Sequence, residues 1–310
     1  MTLNVLFAAK PERWETYETP LKTAFADMGI DADLSCTHAP GDVDYIVYAP
    51  NGPLQDFSNF TRAKAVLNLW AGVEDIVDNP TLHIPLARMV DFGLRQGMTE
   101  WVVAHVLRHH LGTDLNVLHQ DGIWRDQTPP LATDRPVTIL GLGELGTACA
   151  TALAGLGFPV TGWSRSAKDV PGIRCLHGQS GFDQALTDAQ IVVLLLPSTH
   201  STQNAVNARS MALLHKGAVI INPGRGPLID DDALIRALDS GQVSHATLDV
   251  FRVEPLPPAH PFWAHPKVTV TPHIASETRP ETASRIIAEN IRRGEDGKPF
   301  LYLVDRSLGY

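Results

Sequence analysis

The sequence predicts an α/β protein of two domains with parallel sheets, and three observations predict it. The 310 residues, 44% hydrophobic and 19% charged, are enough for two ordinary hydrophobic cores. Short β-rich runs alternate with amphipathic stretches, the pattern of strands joined by helical crossovers. That alternation comes in two series, separated by one long helical stretch.

The first series contains the strand candidates LNVLFAA, DYIVYAP, AVLNL and IPLARM, with helical stretches between some of them. The segment MTEWVVAHVLRHHLGTDLNVL follows and predicts one long helix, with Thr99 and Glu100 near its start. The proline-rich QTPPLATDRP then breaks the chain before the second series. Seven strand candidates make up that series: PVTILGLG, PVTGWSR, GIRCL, DAQIVVLLLP, GAVIINPGRG, VSHATLDVF and PKVTVTPH. A final helix is expected over RPETASRIIAENIRR, and the chain ends in VDRSLGY. No internal repeat or low-complexity segment is present.

The first strand of the second series runs into Gly141-Leu142-Gly143-Glu144-Leu145-Gly146, and a helix with Leu145, Ala148, Cys149, Ala152, Leu153 and Leu156 on its apolar face follows. In this setting the first glycine allows a tight turn, the second lets a pyrophosphate approach the backbone, and the third lets the helix pack closely on the strand. The free amides and positive dipole end of the helix then hold phosphates. Together these features predict a Rossmann-like dinucleotide domain. At the end of the next strand, where a carboxylate would favour NADH, the sequence reads Trp163-Ser164-Arg165-Ser166, with Lys168 beyond. A missing acid and present bases predict NADPH as the cofactor, with NADH a possible second.

In such a sheet, ligands bind beyond the carboxyl ends of the strands. Arg225 follows the fifth strand of the series, Glu254 the sixth and His273 the seventh. An arginine fork suits a carboxylate and an adjacent carbonyl, and an imidazole exchanges protons near neutral pH. An acid beside that imidazole orients it and favours its charged form. These three are the candidate catalytic residues for reducing a 2-keto acid, with Arg225 and His273 also candidate substrate contacts.

WAGVEDI, GLGELG, GWSRS, INPGRGPLIDDDAL, LDVFRVEPLP, HPFW, VTVTPHIAS and VDRSLGY together cover nearly the whole chain. In these motifs the sequence resembles the D-isomer-specific 2-hydroxyacid dehydrogenases, and within them the bacterial glyoxylate/hydroxypyruvate reductase A group. The resemblance implies catalytic roles for Arg225, Glu254 and His273. It implies Asp249 near the nicotinamide, and Pro197, Pro223 and Gly224 along the cofactor. It further implies that the backbone of Ala71, Gly72 and Val73 binds the substrate carboxylate beside Trp70. The implied architecture is two Rossmann-like or flavodoxin-like domains with the active site in the interdomain cleft. A discontinuous substrate domain, 1–97 and 276–310, would flank a dinucleotide domain, 98–275, in a homodimer built on the long helix. Two departures stand out: WAGVED replaces the more usual GAGVD, and Pro227 follows NPGRG. Trp70 is therefore expected to narrow the substrate pocket.

Other classes fit less well. The net charge of −9, without a basic stripe, argues against nucleic acid as a partner. No apolar run approaches bilayer length, and no positively charged leader opens the chain, so no membrane association is expected and a cytoplasmic protein is. Cys36, Cys149 and Cys175 suggest neither disulfides nor zinc. His105, His109 and His110 lack a carboxylate partner or an HExxH pattern, so no metal is expected. A formate dehydrogenase of this fold would carry glutamine where Glu254 stands. An NADH-preferring dehydrogenase of another 2-hydroxy acid, and a nucleotide-sensing binding protein of the same fold, remain the alternatives.

Overall fold

The computed structural model describes residues 2–310, which form two compact units. One comprises the chain up to Leu94 together with Glu277–Tyr310, the other Arg95–Ser276.

In the first unit, β1 (Leu3–Ala8), β2 (Ala32–Ser35), β3 (Tyr45–Tyr48), β4 (Ala65–Asn68) and β5 (Leu86–Ala87) form a parallel sheet ordered β2-β1-β3-β4-β5. This is the 2-1-3-4-5 arrangement of flavodoxin-like folds. Helix α1 (Pro11–Asp27) and the C-terminal helix Pro280–Glu295 bury Tyr17, Leu21, Phe25, Ile287 and Ile291 with Val5 and Phe7. The opposite residues of the strands, Leu6, Ile46 and Val66, pack with Phe57, Phe60 and Ile76. With both faces covered, the strands read as continuous apolar runs. β2 is the exception and was not predicted: at the sheet edge it pairs only with β1, and Asp33 and Ser35 dilute its pattern.

The second unit opens in helix α2 (Phe92–Leu111). It begins six residues before the predicted start, where the Asp91 carboxylate accepts the Leu94 amide at 2.9 Å. It also ends earlier than predicted. Gly112 adopts φ +64°, which a residue without a Cβ does readily, and the rest of the expected helix becomes the separate α3 (Thr113–Leu118).

All seven strands predicted for the second series form: β6 (Val137–Leu140), β7 (Val160–Ser164), β8 (Arg174–His177), β9 (Ile191–Leu194), β10 (Ala218–Asn222), β11 (Val243–Leu248) and β12 (Val268–Val270). They make one parallel sheet ordered β12-β11-β10-β9-β6-β7-β8. The order reverses at β6, which pairs with both β7 and β9, and a crevice opens at such a switch point. Helices α4 (Glu144–Gly155), α5 (Gly178–Leu186), α6 (Ala208–Met211) and α7 (Asp231–Ser240) supply the crossovers. Met98, Val102 and Val106 of α2 share a core with Ile139, Cys149 and Leu153.

The α2 histidines diverge. His109 Nε2 meets Thr247 Oγ1 at 2.8 Å, His110 packs edge-on against Phe158, and His105 lies against Trp101. Burial pushes the His109 imidazole down to about 3, so it is neutral at physiological pH.

Candidate active site

The glycines of the phosphate turn divide the work in a way the geometry makes explicit. Gly141 has φ +111°, and a Cβ there would lie 2.4 Å from the Leu195 carbonyl oxygen. A Cβ on Gly146 would lie 1.7 Å from Gly141 O, so α4 and the turn touch only because the side chain is missing. A Cβ on Gly143 would meet nothing within 4 Å. Gly143 is also the N-cap of α4, with no side-chain cap on the helix. The first amides therefore remain for a ligand, with open space above them, and the turn fits a dinucleotide phosphate. Glu144 sits in that first turn, but Arg95 lies 3.8 Å from its carboxylate and offsets its charge.

At the end of β7, Arg165, Ser166 and Lys168 are exposed. The other two residues of this corner are engaged within the protein. Ser164 is buried and donates to Ser166 O at 2.8 Å, which shapes the turn that presents Arg165. The Trp163 indole donates to Gly178 O at 2.8 Å and packs edge-on against Phe182. Trp163 touches the phosphate turn through its backbone, where its carbonyl accepts the Gly141 amide at 2.8 Å. A ribose carrying a 2′-phosphate suits this cationic, hydroxyl-bearing corner, which holds no carboxylate among Trp163–Lys168.

The three candidate catalytic residues stand beyond the ends of β10, β11 and β12, which are neighbours in the sheet. Glu254 Oε2 and His273 Nδ1 are 2.6 Å apart, and the Phe251 amide donates to Glu254 Oε1 at 2.8 Å. The bond to Glu254 raises the His273 pKa against the opposing effect of burial. Burial works to raise Glu254, but the bonds from His273 and Phe251, with the charges of His273 and Arg225, hold it below its ordinary value. Both shifts favour the carboxylate–imidazolium form. The charge of Arg225 acts on both groups, which puts the guanidinium in the same neighbourhood. His273 Nε2 has no hydrogen-bond partner among the described residues and is the nitrogen left for proton exchange.

Backbone contacts hold the three together. A Cβ on Gly226 would come within 2.0 Å of the Phe251 carbonyl carbon, so the Arg225 loop closes onto the Glu254 loop only through a glycine. His273 takes φ +54°, a left-handed conformation that costs an ordinary side chain energy. Asp249 offsets that cost. Its fully buried carboxylate accepts Thr271 Oγ1 at 2.5 Å and the amides of Ile274 and Ala275 at 2.9 and 2.8 Å, and its carbonyl accepts the His273 amide at 2.8 Å. The side chain expected near a nicotinamide is thus spent on the loop that carries His273.

The sequence pattern of the D-isomer specific 2-hydroxyacid dehydrogenase, NAD binding domain, matches residues 101–275. The chain belongs to this family. Among curated proteins, it is 40% identical over 283 residues to the glyoxylate/hydroxypyruvate reductase A of Serratia proteamaculans, a match covering 87% of this chain and 90% of that one. A D-isomer specific 2-hydroxyacid dehydrogenase from Xanthobacter autotrophicus Py2, crystallised with NADPH and MES, superposes with a TM-score of 0.93 at 38% identity over 100% of both chains. The NADPH-dependent glyoxylate/hydroxypyruvate reductase of Sinorhizobium meliloti, crystallised with NADP and sulfate, superposes with a TM-score of 0.84 at 34% identity over 100% of this chain and 99% of that one.

Other positions singled out in this 2-hydroxyacid dehydrogenase lie past strand ends within each unit. Pro197 lies just past β9, its carbonyl accepting Thr202 Oγ1 at 2.7 Å, and Pro223 and Gly224 lead from β10 into Arg225. In the first unit Trp70, Ala71 and Gly72 are partly exposed beyond β4, with the Trp70 side chain packed on the unit's own core. Val73 beside them is buried. Asn222 was not singled out from the sequence. Its amide donates to Arg225 O at 2.9 Å and accepts the Gly224 amide at 3.1 Å, which ties the arginine turn to the end of β10. A polar residue closing a wholly apolar strand just before Pro-Gly was the available signal.

Proposed function

We propose that this chain reduces a short 2-keto acid of the glyoxylate/hydroxypyruvate class to the D-2-hydroxy acid, with NADPH as reductant. The observation that carries the reading is the 2.6 Å His273–Glu254 pair under the influence of Arg225, in a sheet that also bears a phosphate turn. The names of the Serratia and Sinorhizobium relatives support the substrate class, and the NADPH and NADP in the neighbouring crystal structures support the cofactor.

Gly141, Leu142, Gly143, Glu144, Leu145 and Gly146 would hold the pyrophosphate through their backbone, with Arg165, Ser166 and Lys168 at the 2′-phosphate. When bound there, NADPH supplies the hydride for the keto carbon. Arg225 takes carboxylate and carbonyl oxygens of the substrate on its fork, and the amides of Ala71, Gly72 and Val73 take the carboxylate. As negative charge develops on the carbonyl oxygen, His273 Nε2 gives it a proton, and Glu254 holds Nδ1 and stabilises the imidazolium. One hydride and one proton complete the alcohol.

The test of the reading is turnover of glyoxylate, hydroxypyruvate and phenylpyruvate with NADPH and with NADH, followed at the nicotinamide absorbance. Efficient use of the two small acids with NADPH is expected, and binding of the dinucleotide without turnover of any keto acid would favour a sensing role instead.

Two further outcomes follow from the site. Arg165→Ala should weaken NADPH by roughly one to two orders of magnitude while sparing NADH, since a charge-assisted contact is worth about 1.5–3 kcal/mol. Dissociation constants for both dinucleotides check this, and equal losses would move the 2′-phosphate elsewhere. Glu254→Gln replaces the charged acceptor that raises the His273 pKa with a neutral amide, so the alkaline limb of the pH profile for reduction should move toward acid. Catalytic efficiency measured across pH in wild type and variant decides it, an unmoved limb counting against the pair.

We also assign the chain to a cytoplasmic homodimer. All three cysteines are free. Leu111 at the end of α2 and Val117, Leu118, Ile123, Trp124 and Leu131 beyond it are exposed, Trp124 at 92%, and so much apolar surface supports pairing with a second copy. No helix of the described residues is long and apolar enough to cross a membrane.

A further inference from the structure

The turn after β4 is governed by a residue that the proposed chemistry does not use. Asn68 closes β4 at 1% exposure, and its Nδ2 donates to Trp70 O and to Gly72 O, each at 3.0 Å. Both donors on carbonyls fix the orientation of the amide, because the reverse would set oxygen against oxygen. Its Oδ1 is buried with no partner among the described residues, so the fold tolerates an unsatisfied acceptor there to keep the two donated bonds.

Those bonds decide where two amides point. In a trans peptide the C=O of one residue and the N–H of the next are antiparallel. Drawing the Trp70 carbonyl in toward Asn68 turns the Ala71 N–H away from it, and drawing in the Gly72 carbonyl does the same for Val73. The Met89 amide, 2.9 Å from Trp70 O, adds to the first of these constraints. The amides of Ala71, Gly72 and Val73 donate to no atom among the described residues. Residues 69–75 read LWAGVED, with no basic side chain and with Glu74 and Asp75 immediately after the turn. Anion binding by this segment therefore depends on the aim of its amide dipoles rather than on charge.

We propose that Asn68 is a positioning residue that aims the Ala71 and Val73 amides at the carboxylate of the substrate; this rests on the keto-acid reading above. It contributes to binding the acid without touching it, and leaves hydride and proton transfer alone.

The test compares wild type with Asn68→Leu, similar in size but without donors, and with Asn68→Ser. For each, KM and kcat for glyoxylate are measured, with the dissociation constants of NADPH and of oxalate, a diacid that cannot be reduced, and the melting temperature. Two lost hydrogen bonds to the turn should raise the glyoxylate KM and the oxalate dissociation constant about tenfold in Asn68→Leu. kcat and NADPH affinity should stay within about twofold, and the serine variant should fall between. A lower melting temperature with unchanged KM and unchanged oxalate affinity would mean that Asn68 only supports the fold, and would overturn the proposal. If wild type reduces no keto acid, the function reading fails. The oxalate comparison still decides the role of Asn68, since equal affinities, or no oxalate binding to wild type with NADPH present, overturn it. Should the leucine variant not fold, the serine variant gives the same comparison at smaller amplitude.

Discussion

Replacing His273 by asparagine is expected to lower the rate of keto-acid reduction on the order of a hundredfold or more, the usual worth of a positioned general acid. Asparagine is the informative choice because residue 273 sits at φ +54°, a conformation that asparagine tolerates and alanine resists. The loop amides would still find Asp249, so the site keeps its shape and loses only its proton donor. kcat at saturating NADPH, with NADPH affinity measured alongside, checks the prediction. Near-normal turnover with intact cofactor binding would send the proton by another route.

Arg225→Ala is expected to reduce kcat/KM by roughly two to three orders of magnitude, through KM as well as kcat, because it removes a fork that holds the substrate in ground and transition states alike. Arg225→Lys should recover only part of the loss, since an ammonium offers a point charge where two oxygens ask for a planar pair of donors. A pH signature separates this from general damage. The Arg225 charge holds the His273 pKa down, so removing it should carry the alkaline limb to higher pH, opposite in sign to Glu254→Gln. Profiles for the two variants shifting in the same direction would contradict the electrostatics of the site.

Much of this was legible in the chain because the relevant signals are local. A strand buried on both faces announces itself as an apolar run, as β6, β9 and β10 do. The glycines at 141, 143 and 146 and the polar residues beyond strand ends carry their meaning in order and spacing. What was hidden depends on partners distant in sequence. β2 is a strand because β1 lies beside it, and its own residues give little sign of it. Asp249 and Trp163 sit in motifs that suggest a ligand, yet the folded chain spends their side chains on Thr271, Ile274, Ala275 and Gly178. The break at Gly112 divides a stretch whose composition suits one helix, because a left-handed residue reverses a path that periodicity alone continues.

The unequal surroundings of the turn glycines bear on how a dinucleotide-free protein is best made. Any side chain at position 146 collides with Gly141 O, so a variant there confuses a failed fold with a failed site. Position 143 is different, because the space its Cβ would enter is open, and in the proposed binding mode the phosphates take it. A bulky residue at 143 would obstruct the phosphates while leaving the packing of α4 on β6 intact. The turn thus separates, within three residues, a position the protein needs for its own architecture from one it leaves clear for its reductant, and the second is the handle for a folded, permanently empty control.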